Sequence, residues 1–235
     1  MSGGLDSTSL ALQLLAEGYE VKAYAFNYGQ KHSVELKKVQ KNVKYLQKYD
    51  LPITLQIIDL RDCFNESASV LNKANNMVVP EGDYRDENMK STVVENRNVI
   101  FSSIIYGKAL AWANRTGDKV LISLGLHSGD HSIYPDCRPE SQEMAKELFR
   151  ISNWGSENVD YVAPFINIDK GEVLKTGIQT CKTLGINWKT IYKNTISCYT
   201  PNDKGESCGK CGTCTERLEA FEKCGLKDPI KYQNL

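Results

Sequence analysis

Short strand-like runs alternate with helix-like segments along most of this 235-residue chain, and that alternation restricts the fold more than any other feature. Ser7 to Glu17 places Leu10, Leu14 and Leu15 at helical spacing before Gly18, a natural helix stop. Tyr19 to Tyr28 then reads as a strand, Ser33 to Tyr49 as a helix through Leu36, Val39, Val43 and Leu46, and Ile53 to Leu60 as a second strand. From Arg61 to Glu95 the pattern gives way to Asn, Asp, Glu and Pro, which predicts a long functional loop. It resumes with a helix over Arg97–Gly117, a strand over Lys119–Leu126, a helix over about Glu140–Asn153 and a short strand over Tyr161–Phe165. Asp169 and Glu172 form a capping pair for a last helix running to about Leu184. Strands alternating with helices predict an α/β fold, an open parallel sheet with helices on both faces. Ligands of such sheets sit at the carboxyl ends of the strands. The tail from Asn187 is expected to be irregular, so the chain divides into an α/β domain, 1–186, and a small C-terminal segment, 187–235, packed on it.

Charge and composition exclude several classes of protein. Lys plus Arg and Asp plus Glu both number 29, and zero net charge disfavours a dedicated nucleic-acid binder. No apolar run approaches the ~18 residues of a membrane helix. No signal peptide precedes the first motif, and the expected location is cytoplasmic. Of eight cysteines, four (Cys198, Cys208, Cys211 and Cys214) crowd into one short Gly-rich stretch. Four thiolates at this spacing favour a closed tetrahedral Zn²⁺ site of structural type, with two disulfides or free thiols as the alternatives. Cys63, Cys137, Cys181 and Cys224 are expected as small buried or half-buried groups.

The chain opens with Met-Ser-Gly-Gly-Leu-Asp-Ser-Thr-Ser-Leu, residues 1–10. Two adjacent glycines allow a tight turn and close approach to a ligand. The amides that follow stand at a helix N-terminus, where an anion is favoured. Ser2, Ser7 and Thr8 add hydroxyl donors, and the carboxylate of Asp6 suits a Mg²⁺ ion carried by a polyphosphate. The terminal Gly-Lys-Ser/Thr of a Walker loop is absent. An ordinary helix cap at Asp6 or Ser7 is the plain alternative.

This loop resembles the Ser-Gly-Gly-x-Asp-Ser signature of the N-type ATP pyrophosphatases, which cleave ATP between the α and β phosphates to adenylate a substrate oxygen. Within that superfamily, Asn27–Leu36 (NYGQKHSVEL), Tyr134–Glu140 (YPDCRPE) and Ser197–Cys214 (SCYTPNDKGESCGKCGTC) resemble the 7-cyano-7-deazaguanine synthases, in the family's order and over essentially the whole chain. The resemblance implies conversion of 7-carboxy-7-deazaguanine and ammonia to the nitrile through adenylated carboxylate and amide intermediates, in queuosine-type 7-deazapurine biosynthesis. It implies ATP and Mg²⁺ at Met1, Ser2, Gly3, Gly4, Leu5, Asp6, Ser7, Thr8, Ser9 and Leu10, and Zn²⁺ on the four clustered cysteines. Asp6, Ser7, Lys170 and Arg138 take the catalytic roles, and Glu95, Arg97, Asn98, Asp136 and Arg138 bind the substrate. Taken alone, Asp136 and Arg138 equally suit a polar surface pair, and Arg97, Asn98 and Lys170 suit ordinary helix ends. His127 and His131 read as solvated loop histidines.

Two departures stand out. Val94-Glu95-Asn96 replaces the family's usual Val-Pro-Gly before Arg97. Asn96 can take the left-handed backbone that Gly would supply, whereas Glu95 brings a new carboxylate expected near the base pocket. The phosphate loop is also expected to follow a buried apolar strand of ~5 residues upstream of Met1. Free ammonium is the expected nitrogen source, and the oligomeric state is open, a homodimer included. The competing readings are an amide-forming 7-deazaguanine ligase, a tRNA thiolase of the same superfamily, and a non-catalytic zinc-bearing module.

Overall fold

The structure, a computed structural model, describes residues 1–82 and 87–233. Residues 83–86 of the expected long loop and 234–235 of the C-terminal segment lie outside the described residues. In chain order the elements are α1 (Leu5–Ala16), β1 (Val21–Asn27), α2 (Val34–Gln47), β2 (Ile53–Asp59), α3 (Arg97–Thr116), β3 (Val120–Ser123), α4 (Pro139–Ile151), β4 (Val159–Val162), α5 (Lys170–Thr183), α6 (Trp188–Lys193) and α7 (Gly212–Lys223). None of the described helices is long and apolar enough to cross a membrane.

Among the described residues both strand pairs are parallel, as expected. β1 lies beside β2 from Val21↔Ile53 to Asn27↔Asp59, and β3 beside β4 from Val120↔Val159 to Ser123↔Val162. Among the described residues these are two separate pairs. A cavity of about 1180 Å³ runs between them, lined by Val21–Phe26 on one side and Val120–Leu124 on the other. The amino group of Met1 enters this space and donates to the Tyr24 carbonyl at 2.6 Å.

β3 is shorter than its apolar run because the chain must leave the strand to pass the turn at Gly3–Ser7. A Cβ on Gly125 would stand 3.0 Å from the Ser7 amide nitrogen. β4 begins earlier than expected, pairing from Val159, and ends earlier because Pro164 follows and has no N–H for the ladder.

The tail expected to be irregular holds two helices. Asn187 caps α6 by accepting from the Lys189 and Thr190 amides. α7 starts inside the cysteine motif, so its first turn is Gly-Thr-Cys-Thr and only Ala220 and Phe221 show an apolar face. The main core joins Leu5 and Leu12 of α1, Val39 and Leu46 of α2, Val173 and Leu174 of α5, Ile191 and Tyr192 of α6, and Phe221 of α7. Residues on both sides of the expected 186/187 boundary thus share one apolar cluster.

Candidate active site

Gly3 adopts φ +105°, and a Cβ there would lie 2.5 Å from the Glu35 carbonyl oxygen, so only glycine fits. The turn is pinned by serine hydroxyls: Ser2 N donates to Ser7 Oγ at 3.0 Å and Gly4 N to Ser2 Oγ at 3.2 Å. α1 then begins with first-turn amides that have no intrahelical acceptor. Met1, Ser2, Gly4, Asp6, Ser7 and Leu10 line the cavity. Leu5, Thr8 and Ser9, expected to touch nucleotide, are fully buried in the core instead. Their hydroxyls are also committed, Thr8 Oγ1 to the Gly4 carbonyl at 2.7 Å and Ser9 Oγ to the Leu5 carbonyl at 3.0 Å.

Behind Asp6 sits a cluster of buried charge. Lys170 opens α5, is only 6% exposed, and reaches Glu216 Oε2 at 2.5 Å and Asp6 Oδ2 at 3.6 Å. Burial opposes its charge, but Asp6, Glu216 and Asp130 outweigh that and raise its pKa. His127 is not a solvated loop residue: it is 1% exposed and enclosed by carboxylates. Its Nδ1 accepts from the Gly129 amide at 3.1 Å and lies 3.8 Å from Glu216, while Nε2 stands 3.6 Å from Asp130 and 3.9 Å from Asp6. Burial raises the pKa of Asp130. Three carboxylates against one lysine leave an excess of negative charge, and Asp6 Oδ1 is buried with no partner. That donor set fits a hard divalent cation such as Mg²⁺.

The far end of the cavity is aromatic. Asn96 takes φ +53°, the left-handed turn its side chain allows, and delivers Arg97 and Asn98 into the first turn of α3. Arg97 Nη1 donates to Tyr28 Oη at 3.2 Å, and its guanidinium lies 5.5 Å from the Tyr28 ring centre and 6.0 Å from that of Tyr134. Burial works against this cation too, yet Tyr28, Tyr134, Tyr199 and Cys137 hold it firmly protonated. Tyr134 Oη bonds both Thr92 Oγ1 and Tyr199 Oη at 2.8 Å. With Phe101, these rings frame a slot suited to a flat heterocycle bearing an anionic group.

Of the expected substrate residues, Arg97 and Asn98 line the cavity, whereas Asp136, Arg138 and Glu95 do not. Asp136 Oδ2 accepts from the Asn98 amide at 3.2 Å and so orders the start of α3. Arg138 Nε donates to the His131 carbonyl at 2.9 Å. Glu95 accepts from Ser67 Oγ at 2.5 Å and the Ala68 amide at 3.1 Å, held by the loop rather than facing the base slot.

The four clustered cysteines place their sulfurs within 4.8 Å of one another. Backbone amides of Thr200 and Cys208 donate to Cys198 Sγ, and those of Lys210 and Cys211 to Cys208 Sγ. Donation from Cys198 lowers the pKa of Cys208 and Cys211. All eight cysteines are free thiols, and the set fits a closed tetrahedral zinc site. Cys63 is exposed, against expectation. Because α7 starts at Gly212, this knuckle also aims Glu216 at Lys170.

Sequence reasoning missed Glu216, Asp130, Tyr28, Tyr134 and Tyr199 as site residues. Glu216 lies two positions after Cys214, and no local pattern ties it to a lysine 46 residues away. The tyrosines stood inside quoted motifs, and only the fold shows that they share one slot.

The chain matches, over residues 1–225, the family model described as "Queuosine biosynthesis protein QueC". It is 42% identical over 233 residues to a 7-cyano-7-deazaguanine synthase of Caldicellulosiruptor bescii, covering 99% of this chain and 95% of that one. A protein of the same name from Pseudoalteromonas atlantica is 40% identical, with 99% and 96% covered. One from Methanoregula boonei is likewise 40% identical, with 99% and 97% covered. With the match spanning the Gly3–Gly4 turn, the aromatic slot and the cysteine knuckle together, the chain belongs to the QueC family of queuosine biosynthesis proteins.

Proposed function

We propose that this chain is a 7-cyano-7-deazaguanine synthase, a ligase that uses ATP to convert 7-carboxy-7-deazaguanine and ammonia into the nitrile. The observation that carries this reading is one continuous cavity joining the phosphate loop and Asp6–Lys170 to the slot under Arg97. A carboxylated deazapurine in the slot would stack between the tyrosines and direct its carboxylate past Arg97 toward the α-phosphate of ATP on the loop. The loop amides and Lys170 would stabilise the charge that develops on the departing pyrophosphate. Mg²⁺ on Asp6 would neutralise phosphate charge, and Zn²⁺ on the knuckle would hold α7 in place.

Carboxylate-to-nitrile conversion removes two oxygens, each a poor leaving group, so each needs its own adenylation. With a single phosphate loop, the same site serves twice, first on the carboxylate and then on the amide. No nucleophilic side chain is required, and the groups on the cavity supply positioning and electrostatics. The site works on small molecules rather than directly on nucleic acid, in the cytoplasm. Pyrophosphate release that depends on 7-carboxy-7-deazaguanine and ammonium, with none elicited by RNA, supports the reading. Release with RNA alone would replace it with the thiolase reading, and no release with any substrate would favour a binding module.

A further inference from the structure

Between the phosphate loop and Arg97 the cavity carries two buried polar side chains that neither nucleotide nor base binding uses. His32 and Glu35 lie at the entry to α2, each 7% exposed, and both line the cavity. Glu35 Oε1 accepts from Gln30 Nε2 at 2.7 Å and stands 3.7 Å from His32 Nε2. Gln30 is itself fixed, donating to the Phe26 carbonyl at 3.0 Å and accepting from the Tyr28 amide at 2.9 Å. His32 Nε2 is 3.4 Å from Tyr28 Oη, and Nδ1 is buried with no partner. The carboxylate is built into position. A Cβ on Gly3 would lie 3.3 Å from Glu35 Cβ, so Glu35 stands where the phosphate loop meets the aromatic slot. There a substrate carboxyl must lie to be adenylated.

A cyano nitrogen has to arrive as ammonia, yet near neutral pH most ammonia is ammonium, which has no lone pair. The site therefore needs a group that attracts the cation and removes a proton. We infer that Glu35, flanked by His32, is the ammonium-binding general base of the nitrogen-transfer step. This rests on the synthase reading above.

The surrounding charges agree in sign. Burial pushes the Glu35 carboxyl up to about 7, against the pull of Gln30 and Arg97. A base with that affinity can take a proton near neutrality. Burial and then Arg97 hold His32 down at about 3, so it is a neutral ring that offers a lone pair rather than a competing charge. Arg97, kept protonated by its tyrosines, makes a second lasting cation unfavourable beside it. Ammonium therefore gives its proton to Glu35 and remains as ammonia. Its lone pair forms the C–N bond to the adenylated carbonyl carbon, the C–O bond to AMP breaks with its electron pair on the phosphate oxygen, and the surplus proton on nitrogen leaves to water.

Glu35→Gln keeps the shape and can still accept from Gln30, so it is the variant of choice. Exchange of labelled pyrophosphate into ATP, with 7-carboxy-7-deazaguanine and no ammonium, reports adenylation alone; in E35Q it should stay within roughly twofold of wild type. Ammonium-dependent amide formation should fall about 10²-fold, the scale of a lost general base. Hydroxylamine, neutral at the same pH, needs no deprotonation, and its hydroxamate should form at close to the wild-type rate. Equal losses with both nucleophiles, or an undiminished ammonium rate, would overturn the assignment. Should E35Q not fold, Glu35→Asp carries the same comparison, with a selective ammonium defect expected and an unselective one contradicting it. Absence of exchange in the wild-type protein would sink the synthase reading itself, a distinct result.

Discussion

The cysteine knuckle and the cavity beneath Arg97 are both ready for ligands, but they are assembled by opposite means. The knuckle draws all four sulfurs from Cys198 to Cys214, and amides of the same stretch point at them. The cavity brings together the chain's first residues, the entry to α2, the start of α3, the loop after β3 and the start of α5, whose Lys170 is paired with Glu216 of α7. The first site needs only its own segment and a metal. The second exists only when the whole fold is in place, and the knuckle helps make it by fixing α7. Damage to the knuckle should therefore reach the cavity, and damage confined to the cavity should leave the knuckle intact.

The largest effect should come from the metal. Structural zinc sites are worth on the order of 10 kcal/mol, so Cys211→Ser should lose zinc and expose α7 to hydrogen exchange. Turnover should fall with it because Glu216 rides on that helix. Unchanged zinc content in this variant would dissolve the knuckle as a metal site. The next test is Arg217, which is fully buried and bonds Asp228 at 2.6 and 3.1 Å and Thr195 Oγ1 at 2.8 Å. Arg217→Ala strands the Asp228 charge and should cost about 3–5 kcal/mol in denaturant unfolding. A loss below ~1 kcal/mol would show that α7 does not depend on that pair.

Asp6→Asn works from the other side. It should cut adenylation by roughly 10²–10³-fold, about 3–4 kcal/mol of transition-state stabilisation. Melting temperature and zinc content should stay unchanged. Zinc loss in this variant would break the one-way dependence of cavity on knuckle.

These expectations also mark what was legible in the chain itself. The strand–helix alternation up to α5, the Gly-Gly turn, the Asp169–Glu172 capping box and the left-handed Asn96 are all local, and each is found where its residues predict, apart from the ends of β3 and β4. The cysteine cluster is local too. Asp130, Glu216 and the burial of His127 depend on loops that meet only in the folded chain. Arg138 and Asp136 have the chemistry of ligand-binding groups, yet here they hold backbone that shapes the site. No spacing rule separates those two uses. α7 went unread because its metal-binding first turn masks helical periodicity.

The smallest effect should come from Glu95, the residue that departs most visibly from the family's pattern. Its carboxylate is tied to Ser67 and Ala68. Glu95→Gln should move stability by within about 0.5 kcal/mol, as for surface changes generally, and leave turnover unaltered. A changed product or a marked loss of rate would place Glu95 in the cavity's chemistry after all.

The central claim is that one phosphate loop, opposite one aromatic slot, is used twice per product. It is tested most directly by counting AMP and pyrophosphate against nitrile with 7-carboxy-7-deazaguanine, excess ATP and ammonium. The account predicts two AMP and two pyrophosphate per nitrile, with the amide visible in a single turnover and accepted when supplied as substrate. One AMP per product, with the amide accumulating and refusing further ATP, would contradict it and leave an amide-forming ligase in its place.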